Sequence, residues 1–142
     1  MNSAHANAMR PHLPIPDAET EAFWRGTKEG KFLLRHCNVC GRDHFYPRHY
    51  CPFCWSEDCE WRPAHGRGRV YSYTVIHHNE APPFNEMLPY IVALIELDEN
   101  VRVTSNVVEC TPDMIHVGMP VEVVYERVTD DVTLPKFRPL SR

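Results

Sequence analysis

The sequence predicts a mainly β chain: an N-terminal helical segment, a four-cysteine zinc ribbon and a small β-barrel. Two observations carry the prediction. Two CxxC pairs, Cys37/Cys40 and Cys51/Cys54, lie close together in the first half. After them come five or so short segments rich in β-branched and aromatic residues, separated by proline, glycine and acidic turns. Such strands, about ten residues apart, suggest a small closed barrel. The expected boundaries are residues 1–30 for the arm and helix, 31–60 for the ribbon and 61–142 for the barrel.

In chain order, residues 1–16 contain Pro11, Pro14 and Pro16 and little periodicity, which predicts a mobile or partner-dependent arm. Asp17 is a good N-cap for a helix over residues 18–30, with Ala18, Ala22 and Phe23 on one face. Gly30 suits the C′ position, and Gly26 weakens the interior. Residues 31–37 predict a strand entering the cysteine module, and residues 61–68 a turn-rich junction. Strands are expected over 68–77, 90–97, 101–109, 121–128 and 133–140, with a proline-containing loop at 78–89. The strand at 90–97 is apolar on nearly both faces. Along 101–107, Val101, Val103, Ser105 and Val107 share one face, and Arg102, Thr104 and Asn106 the other. Val121, Val123 and Tyr125 likewise oppose Glu122, Val124 and Glu126. One inward and one outward face per strand is what a barrel wall needs.

The cysteine spacing carries the chemistry. Each CxxC turn aims two thiolates at one point, and Gly41 stands where a left-handed residue completes the first knuckle. Two knuckles, at Cys37, Cys40, Cys51 and Cys54, give the tetrahedral four-sulfur set that zinc favours in structural sites; iron is the alternative that such a set also suits. Four thiolates leave no open position for water, so the expected zinc is structural. Residues 37–60 are too few for a hydrophobic core, and a metal is the expected staple. Cys59 could serve as a spare ligand. Cys110 is expected to be a small packed residue.

Other candidates are weaker. His77 and His78, at a strand end beside the loop, could offer a general base, but no nucleophile–base set can be placed with them. No HExxH or phosphate-binding loop occurs in the sequence. His36, His44 and His49 flank the cysteines without ligand spacing. Arg62, His65, Arg67 and Arg69, followed by Tyr71 and Tyr73, could hold a phosphate and stack an adenine, or simply form a solvated turn and barrel aromatics. Phe23 and Trp24 fit either core packing or contact with a partner, and Phe84, Met87 and Leu88 fit an interface or a cover over the barrel.

Composition narrows the classes. The 142 residues carry a net charge of −4, and residues 61–142 hold eight Lys/Arg against eleven Asp/Glu. That balance disfavours a phosphate-tracking groove, so nucleic acid is not the expected partner. No apolar run approaches the length of a membrane span, and the N-terminus has no signal-like apolar core. The expected compartment is the cytoplasm.

The ordered segments FWRGTKEGKFLLRHCNVCG, YPRHYCPFC, GRGRVYSYTVIH, PYIVALIELDENVRVTSN and GMPVEVVYE resemble the DUF35 family over residues 17–140. The resemblance implies a rubredoxin-like zinc ribbon joined to an OB-fold barrel, with Cys37, Cys40, Cys51 and Cys54 as ligands. It further implies a hetero-oligomer with thiolase-like catalytic subunits or multicomponent acyltransferases, which this chain bridges while helping to bind coenzyme A. The catalytic residues would belong to the partner. Two alternatives remain: a nucleic-acid-binding module, and the accessory part of an acyl-CoA hydratase or aldolase. On the first reading, Arg67, Arg69, Tyr71 and Tyr73 are candidate CoA contacts, and Phe23, Trp24 and Phe84 candidate partner contacts.

Overall fold

The computed structural model describes residues 12–140, which form two units. One contains the residues up to His65 together with Tyr125–Pro135; the other contains Gly66–Val124 and the residues from Lys136 onward. Most of the arm expected over residues 1–16 lies outside the described residues. Within its described part, Leu13 is buried.

The first unit opens with helix α1 (Glu21–Lys28). The helix begins later than Asp17 because Asp17 instead caps the preceding turn. Its Oδ1 accepts from the N–H groups of Glu19 and Thr20 and from the Thr20 hydroxyl. Ala18 therefore lies outside the helix and is exposed, and the buried face is Phe23, Trp24, Gly26 and Thr27. The helix ends as its glycine predicts. Gly30 has φ 75°, its N–H reaches the Thr27 carbonyl, and the Lys31 N–H reaches that of Gly26. These two bonds satisfy carbonyls that the last turn leaves without a partner.

Phe23 is fully buried at the centre of an aromatic cluster with Trp24, Phe32, Phe45 and Tyr46. The Trp24 indole N–H donates to the Tyr46 hydroxyl at 3.2 Å. The side chains of Phe23 and Trp24 therefore face the interior, which corrects their expectation as partner contacts. The helix and Phe32 also bring apolar surface to Phe45 and Tyr46 of the cysteine segment. Strand β1 (Leu33–Cys37) then pairs antiparallel with β2 (Asp43–His44) on one side and β3 (Cys59–Pro63) on the other. The β3 strand occupies part of the expected junction. Its five residues carry no alternation of their own and become a strand by pairing with β1.

A closed barrel is formed by β4 (Arg67–Ile76), β5 (Tyr90–Leu97), β6 (Arg102–Val107), β7 (Pro120–Arg127) and β8 (Thr133–Pro139), and most of its strand residues belong to the second unit. The order around it is β4-β5-β6-β8-β7, with β6 and β8 parallel and β4–β5, β5–β6 and β4–β7 antiparallel. This is the OB-fold arrangement. Ile91, Ala93, Ile95 and Leu97 point inward from β5, as do Val103 and Val107 from β6. β4 and β5 approach so tightly at Gly68 that a Cβ there would lie 2.4 Å from the Glu96 carbonyl oxygen. The loop before β5 contains a single 3-10 turn, Phe84–Glu86. Phe84 is half-buried, and its ring packs near Tyr90 at 6.0 Å.

Candidate metal centre

The two knuckles are built alike. In the first, the Gly41 N–H bonds the Cys37 carbonyl at 2.9 Å; in the second, the Trp55 N–H bonds the Cys51 carbonyl at 2.8 Å. Each turn closes with a positive φ, 78° at Gly41 and 66° at Trp55. Main-chain N–H groups also point at sulfur: Cys40 at Cys37 Sγ and Phe53 at Cys51 Sγ, both 3.4 Å. Such donors offset negative charge on the sulfurs.

The four ligand sulfurs lie within 4.8 Å of one another, with Cys37–Cys54 at 3.5 Å and Cys40–Cys51 at 3.6 Å. A tetrahedron with metal–sulfur bonds of about 2.3 Å has edges of about 3.8 Å. The set therefore fits zinc in size and in donor type. Its electrostatics also call for a cation. The Cys40 N–H draws the Cys37 thiol down to about 6. At Cys54 the Ser56 N–H acts in the same sense, but burial and the neighbouring sulfurs prevail and push that thiol up to about 12. One thiolate thus suppresses the next, and a divalent ion is what lets all four ionise. Cys37 and Cys51 are buried, whereas Cys40 and Cys54 are exposed.

Around the site, His36 Nδ1 lies 2.7 Å from the Asp43 carboxylate. His44 is buried, and neither ring nitrogen has a hydrogen-bond partner. The Arg48 main chain approaches that ring without completing a hydrogen bond. Val39, Phe53 and Trp55 are exposed on the knuckles, and the Arg42 guanidinium sits 4.7 Å above the Phe53 ring. This apolar rim has no periodicity or motif of its own in the sequence. Val39 and Phe53 fill x positions of the two CxxC turns, which a closed turn displays outward, and Trp55 directly follows the second turn.

The proposed CoA contacts are only partly brought together. Arg67, Arg69 and Tyr71 are exposed on β4, and a bulge at Tyr71 shifts the register. Beyond the bulge Ser72 faces Leu94, and Tyr73 aligns with the inward-facing Ala93. Tyr73 is nonetheless exposed, as Tyr71 is. Arg69 Nη1 donates to the Gly118 carbonyl at 3.1 Å, and the Arg102 guanidinium covers the Tyr71 ring at 3.8 Å. His77 and His78 are exposed, and His78 lies 3.7 Å from Glu80. The Cys110 thiol donates to the Thr111 carbonyl, and burial raises its pKa.

A four-sulfur ribbon and an OB barrel in one chain define a zinc-ribbon/OB-fold protein. Residues 24–60 match the ChsH2 rubredoxin-like zinc ribbon domain, and residues 61–126 the ChsH2 C-terminal OB-fold domain. The chain is 39% identical to a DUF35 domain-containing scaffold protein of Methanocaldococcus jannaschii, over 76% of this chain and 77% of that one. It belongs to the DUF35 family. It is also 39% identical to a probable enoyl-CoA hydratase alpha subunit of Thermomonospora curvata over 93% of its length, but spans only 40% of that relative. A benzoylsuccinyl-CoA thiolase subunit BbsA of Geobacter metallireducens is 39% identical over 47% of this chain and 43% of its own. Among solved structures, an Ltp2-ChsH2(DUF35) aldolase superposes with a TM-score of 0.80 at 36% identity, covering 89% of this chain and 98% of that one.

Proposed function

We propose that the chain is a non-catalytic accessory subunit of a thiolase-like acyl-CoA enzyme or multicomponent acyltransferase. It would bridge catalytic subunits in a hetero-oligomer in the cytoplasm, with structural zinc at Cys37, Cys40, Cys51 and Cys54. The observation that carries this reading is the closed four-sulfur centre in a chain whose relatives are scaffold proteins and subunits of CoA-thioester enzymes. The centre can hold a fold but offers no position to a substrate. Arg67, Arg69, Tyr71 and Tyr73 are the candidate CoA contacts on this chain, and Phe84 remains a candidate partner contact. The exposed knuckle residues Val39, Phe53 and Trp55 offer a further apolar surface.

A second reading makes the same piece the accessory part of an acyl-CoA hydratase or aldolase. The hydratase alpha subunit and the aldolase structure favour it. Both readings place the reacting groups on another polypeptide region, and one experiment separates them. The tagged chain is purified with its bound partner, and the complex is assayed for thiolytic cleavage, hydration and retro-aldol cleavage of CoA thioesters. Thiolytic or acyl-transfer activity supports the first reading, and hydration or retro-aldol activity the second. A complex active in none of them overturns both.

A further inference from the structure

A fifth thiol stands beside the metal centre. Cys59 on β3 is the register partner of Cys37 on β1. Next along the ladder, the Asn38 N–H bonds the Asp58 carbonyl at 2.9 Å, which makes 38/58 a hydrogen-bonded pair. The alternation of an antiparallel ladder then makes 37/59 a non-hydrogen-bonded pair, in which Cα atoms are about 4.5 Å apart and side chains are closest. Disulfides span Cα separations of about 4.4–6.8 Å, so the two sulfurs can join with little backbone movement. Cys59 is half-buried, while Cys37 is fully buried. Of this pair, Cys59 is therefore the sulfur that a small oxidant in solvent meets first. The Cys59 thiol also donates to the Ser56 carbonyl at 3.8 Å, which holds it at this edge of the centre.

We propose that Cys37 and Cys59 form a redox pair that opens the metal centre when a peroxide closes them into a cross-strand disulfide. The inference rests on the four-sulfur metal reading. The peroxide transfers oxygen to the Cys59 sulfur, giving a sulfenic acid and one water. The Cys37 thiolate then attacks that sulfur and forms the S–S bond. Hydroxide leaves and takes a solvent proton to become the second water. Two sulfurs have lost two electrons in all, and the peroxide has gained them. The metal keeps three of its four thiolates, which weakens its hold and releases it. Because the β1–β3 ladder already aligns the pair, the sheet survives while the first knuckle opens. Reduction by a small dithiol and resupply of zinc reverse the change.

The test uses the full chain, with zinc content measured before any oxidant is added. Wild type, Cys59→Ala, Cys59→Ser and a Cys110→Ser control are treated with hydrogen peroxide, and released zinc is followed with a chromogenic chelator. Combined tryptic and Asp-N digestion places Cys37 and Cys59 in different peptides, and separates Cys59 from Cys51 and Cys54. Expected is zinc release about tenfold faster in wild type and Cys110→Ser than in either Cys59 variant, with a peptide linked through Cys37 and Cys59. Equal release from all four proteins, or disulfides confined to the four ligand cysteines, would overturn the proposal. A chain that holds no zinc as purified would refute the metal reading instead, and the linked peptide would still decide the disulfide.

Discussion

Trp55 occupies a backbone conformation that suits glycine, and its ring is 76% exposed. Gly41 fills the equivalent place in the first knuckle without strain. An L side chain in the left-handed region costs about 1–2 kcal/mol, while added glycine flexibility in the unfolded chain returns part of any gain. Trp55→Gly should therefore stabilise the zinc-loaded chain by about 1 kcal/mol, read as a higher denaturation midpoint. Gly41 was legible in the sequence because glycine announces its own conformational freedom. Trp55 was not, since a tryptophan gives no local sign that its neighbours force it left-handed. His44 is a second residue whose state only the fold reveals. Burial lowers its pKa, and the charges of Arg35 and Arg48 act in the same sense; the Arg48 main chain and Asp43 oppose them without prevailing. The unfolded imidazole takes up a proton near pH 6.5, whereas the folded one resists until lower pH. Between those values the unfolded state binds more protons, so stability falls as pH drops through about 6.5 and stops falling below the folded pKa. Thiolate protonation adds its own acid sensitivity, so the informative quantity is a difference. His44→Phe should show a shallower loss of stability from pH 7 to pH 5 than wild type. Identical pH profiles would show that His44 titrates alike in both states.

Among the elements, long patterned strands were readable and paired ones were not. The segment at 90–97 and the alternation at 101–107 appear as β5 and β6 because each carries its buried face in its own sequence. β3 and the bulge at Tyr71 depend on partners elsewhere in the chain, so neither shows in the local sequence pattern. The aromatic cluster was hidden for the same reason, since its rings come from the helix, the start of the ribbon and the turn after β2. Its weight can be measured: Phe23→Ala should cost about 3–5 kcal/mol by denaturant unfolding, even with zinc bound. A loss below about 1 kcal/mol would mean that the metal alone holds this unit. In the barrel, Gly68→Ala would push a methyl group against the Glu96 carbonyl and force β4 from β5. A loss of about 2 kcal/mol is expected, with a secondary-structure spectrum that remains largely β.

At the scale of the whole molecule, the four-cysteine site was the most legible feature because its chemistry is written in the spacing. What the chain works with is less legible, because a surface completed by another protein needs no motif of its own. Among the described residues no helix is long and apolar enough to cross a membrane. With the acidic balance of residues 61–142, single-stranded DNA or RNA should not bind tightly at low salt in a mobility-shift assay. Sub-micromolar binding that weakens steeply with salt would favour the nucleic-acid alternative. The accessory role is tested most directly by acyl-CoA turnover, measured on the native complex, on each separated chain and on the recombined pair. The account predicts no turnover by this chain alone, reduced activity or solubility for the partner alone, and recovery on mixing. Turnover by the isolated chain that disappears when His77 or His78 is replaced would contradict it, as would a partner fully active and soluble without this chain.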